Sequence, residues 1–393
     1  MSDNRFVYAD NAATTSVSPE VLGAMLPYLS EHYGNPSSLY SIGRDSAKAI
    51  SAARDKIAAL IGCKSSELFF TASGSEADNW AIKGAAYANQ KKGRHIITTK
   101  YEHHAVLHSM DSLKREGFEI TYLDILPDGQ ITPEMLEAQI RPDTSLVCMM
   151  YANNEIGSVL PIKELCDTAH KHGALFFTDA VQAVGNIPVS AAELGVDMLS
   201  FSGHKIHAPK GIGALYIKTG TKVYNLVDGG GQERGRRGGT ENIAYIVGLA
   251  KALEIAVQSL PDMKRVAAMR DRLADGISKI PYSFINGGME HRLPGNLNAA
   301  FEFIEGESLL LWLDLNGICA STGSACSSAS LEPSHVLLSI GVPVEKAHGS
   351  LRLTLGHDNT DADVDYILER LPMIVDKLRA MSPLYEKIAH ASV

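Results

Sequence analysis

Between residues 66 and 218, short apolar runs alternate with amphipathic stretches, and this alternation does most to restrict the fold. The expected strands are Glu67–Thr71, His95–Thr99, Glu119–Asp124, Ser145–Tyr151, Ala174–Thr178, Met198–Phe201 and Gly213–Ile217. The stretches between them have helical spacing. In Pro161–His172, for example, Leu165, Cys166 and Ala169 share one face. Strands separated by helical crossovers pair in parallel and are covered on both faces, so the pattern predicts an α/β chain with a mainly parallel central sheet. A long helical pattern follows from about Glu241 to Ile280, broken at Pro261, which marks a boundary to a smaller C-terminal α+β part. That part ends in a helix over Thr360–Met381.

A chain of 393 residues is too long for one simple core, and two domains are expected. The formal net charge of −9 argues against nucleic acid as the main partner, although Arg234, Arg236 and Arg237 form a local basic patch. No apolar stretch is expected to reach the ~20 residues of a membrane span. The first ten residues lack the order of a signal peptide, so a cytoplasmic location is expected. The five cysteines, Cys63, Cys148, Cys166, Cys319 and Cys326, contain no CxxC pair. They read as free thiols, with no metal site expected, and Cys148 as a core residue of a buried strand.

In an open α/β sheet, ligands bind at the carboxyl ends of the strands. Ser73–Ser75, His103, Asn154, Asp179 and Lys205 all fall there. Asp179 ends one apolar run, and Lys205, in Ser202-Gly203-His204-Lys205, follows another. One carboxylate and one amine at neighbouring strand ends are what pyridoxal phosphate chemistry needs. The amine anchors the cofactor covalently, and the carboxylate keeps the pyridine nitrogen protonated so that the ring accepts electrons. A lone lysine or aspartate is more often a solvated side chain or a helix cap, so the surrounding segments have to carry the reading.

Thr71-Ala72-Ser73-Gly74-Ser75 follows a strand and opens a helix over Glu76–Ala88. Small residues and unpaired N–H groups at a helix start suit a phosphate, though the same pattern serves as an ordinary cap. Ser202 and His204 can add donors. His103 either stacks on a flat ring or moves protons, and the adjacent His104 leaves the choice between the two open. Cys326 lies in a run of eleven small residues, 320–330, expected to be a mobile surface loop with an exposed and reactive thiol. An incidental cysteine is the plain alternative. Arg352, in an alternating run, suits a bidentate grip on a carboxylate or a surface ion pair.

Taken together these segments resemble the NifS/IscS-type (group I) cysteine desulfurases of the class V, fold-type I pyridoxal phosphate enzymes. The matching stretches are Tyr8–Thr14, Asn35-Pro36-Ser37-Ser38, Ser73–Asn79, Glu102-His103, Asn153–Gly157, Asp179–Gln182, Ser202–Lys205, Gly231–Asn242, the Cys326 loop and Arg352. They cover nearly the whole chain in family order. The resemblance implies a large cofactor domain at 15–260 and a small domain at 261–393, with residues 1–14 packing on the latter. It implies that Lys205 carries the cofactor and moves protons. Asp179 is to pair with the ring nitrogen, Gln182 with the phenolic oxygen, and His103 to stack. Gly74, Ser75, Ser202 and His204 are to bind the phosphate, joined by Thr240 from the partner of a homodimer. Asn154 lies beside the cofactor and, with Arg352, holds the substrate carboxylate, and Cys326 is the nucleophile. L-cysteine becomes L-alanine, and the Cys326 persulfide donates sulfur for iron–sulfur cluster assembly through a NifU/IscU-like scaffold protein.

Three positions depart from the family pattern: Ala72-Ser73 stands for the usual Ser-Gly, Ser75 for Thr, and Tyr40 for a common His. None removes a proposed catalytic group. The alternatives are a selenocysteine lyase or cystine C–S lyase on the same fold, or a non-enzymatic sulfur-delivery subunit. The long small-residue loop and the presence of Lys205, Asp179 and Cys326 favour the persulfide-forming enzyme.

Overall fold

The structure is a computed structural model that describes residues 5–323 and 333–386. Its centre is a seven-stranded sheet built from β1 (Leu68–Thr71), β2 (His95–Thr99), β3 (Glu119–Leu123), β4 (Thr144–Cys148), β5 (Leu175–Asp179), β6 (Met198–Ser202) and β7 (Gly213–Ile217). The order across the sheet is β1-β7-β6-β5-β4-β2-β3. All pairings are parallel except those of β7, which runs antiparallel to both β1 and β6. Every residue of β2, β4, β6 and β7 is buried, as expected of strands covered on both faces. Only β3, at one edge, is mostly half-buried.

The covering helices include α1 (Ser41–Leu60), α2 (Gly74–Asn89), α3 (His104–Arg115) and α4 (Ile162–Lys171). α4 buries Leu165, Cys166 and Ala169, the face predicted from spacing. The expected strand at 145–151 is shorter than its apolar run. It stops at Cys148, and Met149 to Tyr151 leave the sheet while staying buried or half-buried, carrying the chain towards the cavity described below.

The predicted long helix is two, α5 (Ile243–Ser259) and α6 (Met263–Ile277), joined by a 3-10 turn at Leu260–Asp262 that contains Pro261. Proline has no N–H to give, so the i→i−4 ladder breaks there. Here the sequence reading needs a correction. An 18-residue window within Ile243–Ile277 reaches a mean hydropathy of 1.5, which by length and composition alone passes for a membrane span. The physical reason for that composition is packing: α5 turns Ile246, Leu249 and Leu253 into the core beside α1 and the helix Pro19–Met25.

A second core is separate from the sheet's. It gathers Val266, Leu273 and Ile277 of α6, Leu297 and Phe301 of β9 (Asn296–Phe301), Leu351 and Leu353 of β10 (Ser350–Thr354), and Ile367 and Leu371 of α7 (Asp361–Ala380). β10, β9 and β8 (Ser283–Ile285) form an antiparallel sheet in that order. Val7 and Ala9 belong to this core although they lie far ahead of the rest of it in sequence, because Val7–Tyr8 pairs in parallel with Ile318–Cys319.

Candidate active site

The carboxyl ends of β5 and β6, together with the N-terminus of α2, open into a cavity of about 260 Å³. Its lining includes Gly74, Ser75, His103, Asn154, Asp179, Gln182, Ser202, His204, Lys205 and Arg352. Every predicted site residue except Thr240 and Cys326 is therefore brought to one place. Thr240 is exposed and does not line the cavity of its own chain, and Cys326 lies outside the described residues.

α2 starts where Ser73 caps it, its Oγ accepting from Glu76 N–H at 3.1 Å. The first N–H groups of a helix have no acceptor within it and point at whatever lies ahead. A Cβ on Gly74 would meet Val181 Cγ2 at 2.9 Å and Ser202 Cβ at 3.3 Å. The glycine thus lets the helix start sit against the ends of β5 and β6. Ser202 and Gly74 face each other there, with the exposed Ser75 beside them.

Asp179 is buried, and its Oδ1 accepts from Val181 N–H at 2.9 Å. Burial raises its affinity for a proton, while that hydrogen bond and Lys205 oppose the rise. Asp78 lies close by, wholly buried, and takes a 2.6 Å bond from Ser200 Oγ. Burial first and Asp179 second push Asp78 well above the ordinary carboxylate range. Asp78 is pushed further up than Asp179, which leaves Asp179 the better placed of the two to carry negative charge towards the cavity.

Lys205 Nζ donates to the carbonyls of Ala12 (2.5 Å) and Ala13 (2.8 Å), so the N-terminal segment forms one wall of the cavity. Gln182 Nε2 donates to the same Ala12 carbonyl at 3.0 Å. His103 caps α3, and its Nδ1 accepts from Ala105 N–H at 3.2 Å, which leaves the proton on Nε2. Burial, then the charge of Lys205, lowers His103 to about 4. The same two causes lower His204 to about 4. Both rings are neutral at physiological pH.

Arg352 is 2% exposed, which rules out the surface ion pair. Its guanidinium is already engaged: one terminal nitrogen donates to Asp10 Oδ1 at 2.8 Å, the other to the carbonyls of Gly323 (2.6 Å) and Asn154 (3.0 Å). Its Nε is buried with no partner among the described residues. Asn154 is placed by a turn in which Asn153 Oδ1 accepts from Glu155 N–H at 2.8 Å and Ile156 N–H at 3.0 Å.

Several residues at the cavity had no assigned role in the sequence reading. Asp10 pairs with Arg352. Glu102 is wholly buried beneath His103 and raised to about 8 by burial, with Oε2 unpaired among the described residues. Glu155 is buried in the cavity wall and bonded to Ser334. His104 lies 4.8 Å, centroid to centroid, from His335. Asp10, Glu102 and Glu155 lay in stretches that carried the resemblance, but none had been given a role. The rest are brought in by contacts across more than 140 residues or sit on turns without a motif.

The residues present fit pyridoxal phosphate. There is a cradle of N–H groups and hydroxyls for an anion, a buried carboxylate for a cationic ring nitrogen, an amine, and room for a ring beside a neutral imidazole. Residues 7–367 match the model of the aminotransferase class-V family. The chain is 54% identical over 387 residues to the cysteine desulfurase IscS of Clostridium botulinum, covering 98% of each chain. It is 54% identical to the IscS of Methanosarcina thermophila, over 98% of this chain and 96% of that one. Among solved structures, a NifS-like protein superimposes with a TM-score of 0.90 at 39% identity, over 95% of this chain and all of that one.

Proposed function

Because the chain belongs to the aminotransferase class-V family and is a cysteine desulfurase within it, we propose that the cavity between β5, β6 and α2 holds pyridoxal phosphate and releases sulfur from L-cysteine. The observation that carries this reading is the meeting of Asp179 and Lys205, from neighbouring strand ends, in the cavity that α2 opens onto. Gly74, Ser75, Ser202 and His204 hold the phosphate, Asp179 the ring nitrogen, Gln182 the phenolic oxygen, and His103 the ring face. Thr240 reaches the phosphate from the second subunit of a homodimer. Thr240 is exposed and off the lining of its own chain's cavity, which supports this.

Bound there, pyridoxal phosphate supplies an electron sink conjugated to the substrate α-carbon. The protein's residues do the rest. Arg352 and Asn154 hold the substrate carboxylate, which has to displace Asp10 from part of the guanidinium. Lys205 Nζ takes the α-proton. The four described cysteines all have thiols pushed upwards by burial, Cys63 and Cys166 to about 12. None is a ready thiolate, which supports Cys326 as the nucleophile. Its thiolate attacks the substrate sulfur. A new S–S bond forms as the substrate Cβ–Sγ bond breaks, and the electron pair left on carbon is protonated to give L-alanine.

The persulfide on Cys326 then passes its outer sulfur to an iron–sulfur scaffold protein of the NifU/IscU kind, in the cytoplasm. The proposed division is a large domain at 15–260 and a small domain at 261–393 that carries the nucleophile, with residues 1–14 packed on the small one; the second core supports it, while Leu293, Val336, Leu337 and Ile340 pack in the first.

The test is release of alanine and sulfide from L-cysteine by the pyridoxal phosphate-loaded protein, wild type beside Cys326→Ala, with the absorbance spectrum recorded. The reading expects one-to-one products, lost in the variant while the visible band of the lysine-bound cofactor stays. Undiminished turnover by Cys326→Ala would point instead to an elimination-type lyase.

A further inference from the structure

A second cavity, about 70 Å³, lies behind the first, between the two cores. Its wall includes His207, two residues past Lys205, and His357, three residues past the end of β10. Asp358 completes a cluster whose ligand atoms all lie within 4.8 Å of one another. We propose that His207, His357 and Asp358 form a binding site for a divalent transition metal such as Zn²⁺, joining the segment after Lys205 to the turn after β10.

The orientation of His207 supports coordination. Its Nδ1 lies 3.0 Å from the carbonyl oxygen of Ser16. A carbonyl only accepts, so Nδ1 carries the proton and the lone pair is on Nε2. A ring nitrogen bonded to a backbone carbonyl, with the other left for a metal, is the usual arrangement of a metal-ligating histidine. The ring stands 4.7 Å from that of His357, centroid to centroid. His357 Nε2 and Asp358 Oδ1 are 3.3 Å apart. At Zn–N and Zn–O distances of ~2.1 Å, a tetrahedral edge is about 3.4 Å, so this pair already spans one edge. Rotation of the exposed Asp358 and the half-buried His357 side chains closes the remaining gap, and water completes the coordination.

Both sides of the cluster are fixed by contacts that do not involve the ligands. His207 has φ 64°, the left-handed region, and its N–H donates to Thr15 Oγ1 at 2.8 Å. Such a conformation in a non-glycine residue persists only where the surroundings enforce it. On the other side, Arg265 donates to the carbonyls of His357 (2.7 Å) and Asn359 (2.8 Å) and is itself held by Asp262. Asn359 Oδ1 closes the turn by accepting from Gly356 N–H at 2.8 Å. No sequence motif marks the site, because 150 residues separate the two histidines.

The test is dialysis of the full-length protein against ZnCl₂, followed by metal counting, X-ray absorption at the zinc edge and thermal melting. Wild type is compared with His207→Asn, which tolerates the left-handed backbone, and with His357→Gln on the exposed turn. The wild type is expected to bind one more zinc per chain than either variant, with nitrogen and oxygen neighbours at ~2.0–2.2 Å. Zinc at about a hundred times its dissociation constant is expected to raise the wild-type melting temperature by about 3 °C, with no such rise in either variant. Equal zinc content in all three proteins would overturn the proposal. So would sulfur neighbours at ~2.3 Å in the wild type, which would assign the metal to cysteines instead.

Discussion

At the scale of single residues, the site is a set of charges whose states are set by burial. Glu102 takes bonds from Thr99 Oγ1 (2.7 Å) and Met150 N–H (3.0 Å) on one oxygen, while burial raises it to about 8. Its folded value lies above its unfolded one, so its stabilising contribution is whole below about pH 4.5 and is lost as the pH rises towards 8. The Glu102→Gln variant is therefore expected to lose less stability than wild type between pH 6 and 9, read as the slope of melting temperature against pH. His103 and His204 act in the opposite sense. Their folded values, about 4, lie below the ordinary 6.5, so their contribution is present above pH 6.5 and lost as the pH falls to 4. Asp179→Ala removes the anion facing the cavity. It is expected to weaken pyridoxal phosphate binding by about a hundredfold, measured by cofactor titration, as fits removal of a buried charge partner. Asp179, Lys205 and His103 could be read from the sequence because each follows an apolar run at a strand end. The occupation of Arg352 by Asp10 could not, since 342 residues separate the pair and neither neighbourhood hints at the other.

At the scale of elements, the start of α2 and the segment after β7 act together. Glu233 accepts from Arg54 at 2.6 and 2.8 Å and from Phe70 N–H at 2.9 Å, all buried. This anchors a segment in which Glu233 and Arg234 both have positive φ. Removing one member of a buried ion pair strands the other charge, so Glu233→Ala is expected to cost about 3 kcal/mol of stability in a denaturant melt. Gly74→Ala tests the cradle. Its Cβ would crowd Val181 and Ser202, and a lower affinity for pyridoxal phosphate is expected with the fold kept, checked by cofactor titration beside circular dichroism. The strands themselves were legible because both faces are covered, which makes their apolar runs nearly continuous. The antiparallel direction of β7 was not, since a run of five apolar residues reads the same from either end. The strand expected to reach Tyr151 stops at Cys148 because burial outside a sheet leaves the same composition as burial within it.

At the scale of the whole molecule, the proposed homodimer makes a prediction independent of any single site. If Thr240 serves the partner's cavity, mixing Lys205→Ala with Thr240→Ala subunits restores about a quarter of the wild-type sites, since each mixed dimer then has one intact site. If Thr240 serves its own chain, mixing restores none. The break between α5 and α6 could be anticipated from Pro261, but the return of Val336, Leu337 and Ile340 to the first core could not, and the inclusion of Val7 and Ala9 in the second rested on resemblance alone, because two-residue strands carry no periodic signal. That placement also bears on biosynthesis. The carbonyls of Ala12 and Ala13 that hold Lys205, and the Asp10 carboxylate that holds Arg352, leave the ribosome long before the C-terminal core they lie beside. Their neighbour Val7 pairs with Ile318, so the segment waits for more than three hundred further residues. At ordinary elongation rates that is on the order of tens of seconds. The nascent chain can complete its central sheet in that time, but the cavity acquires this wall only once Ile318 has been made.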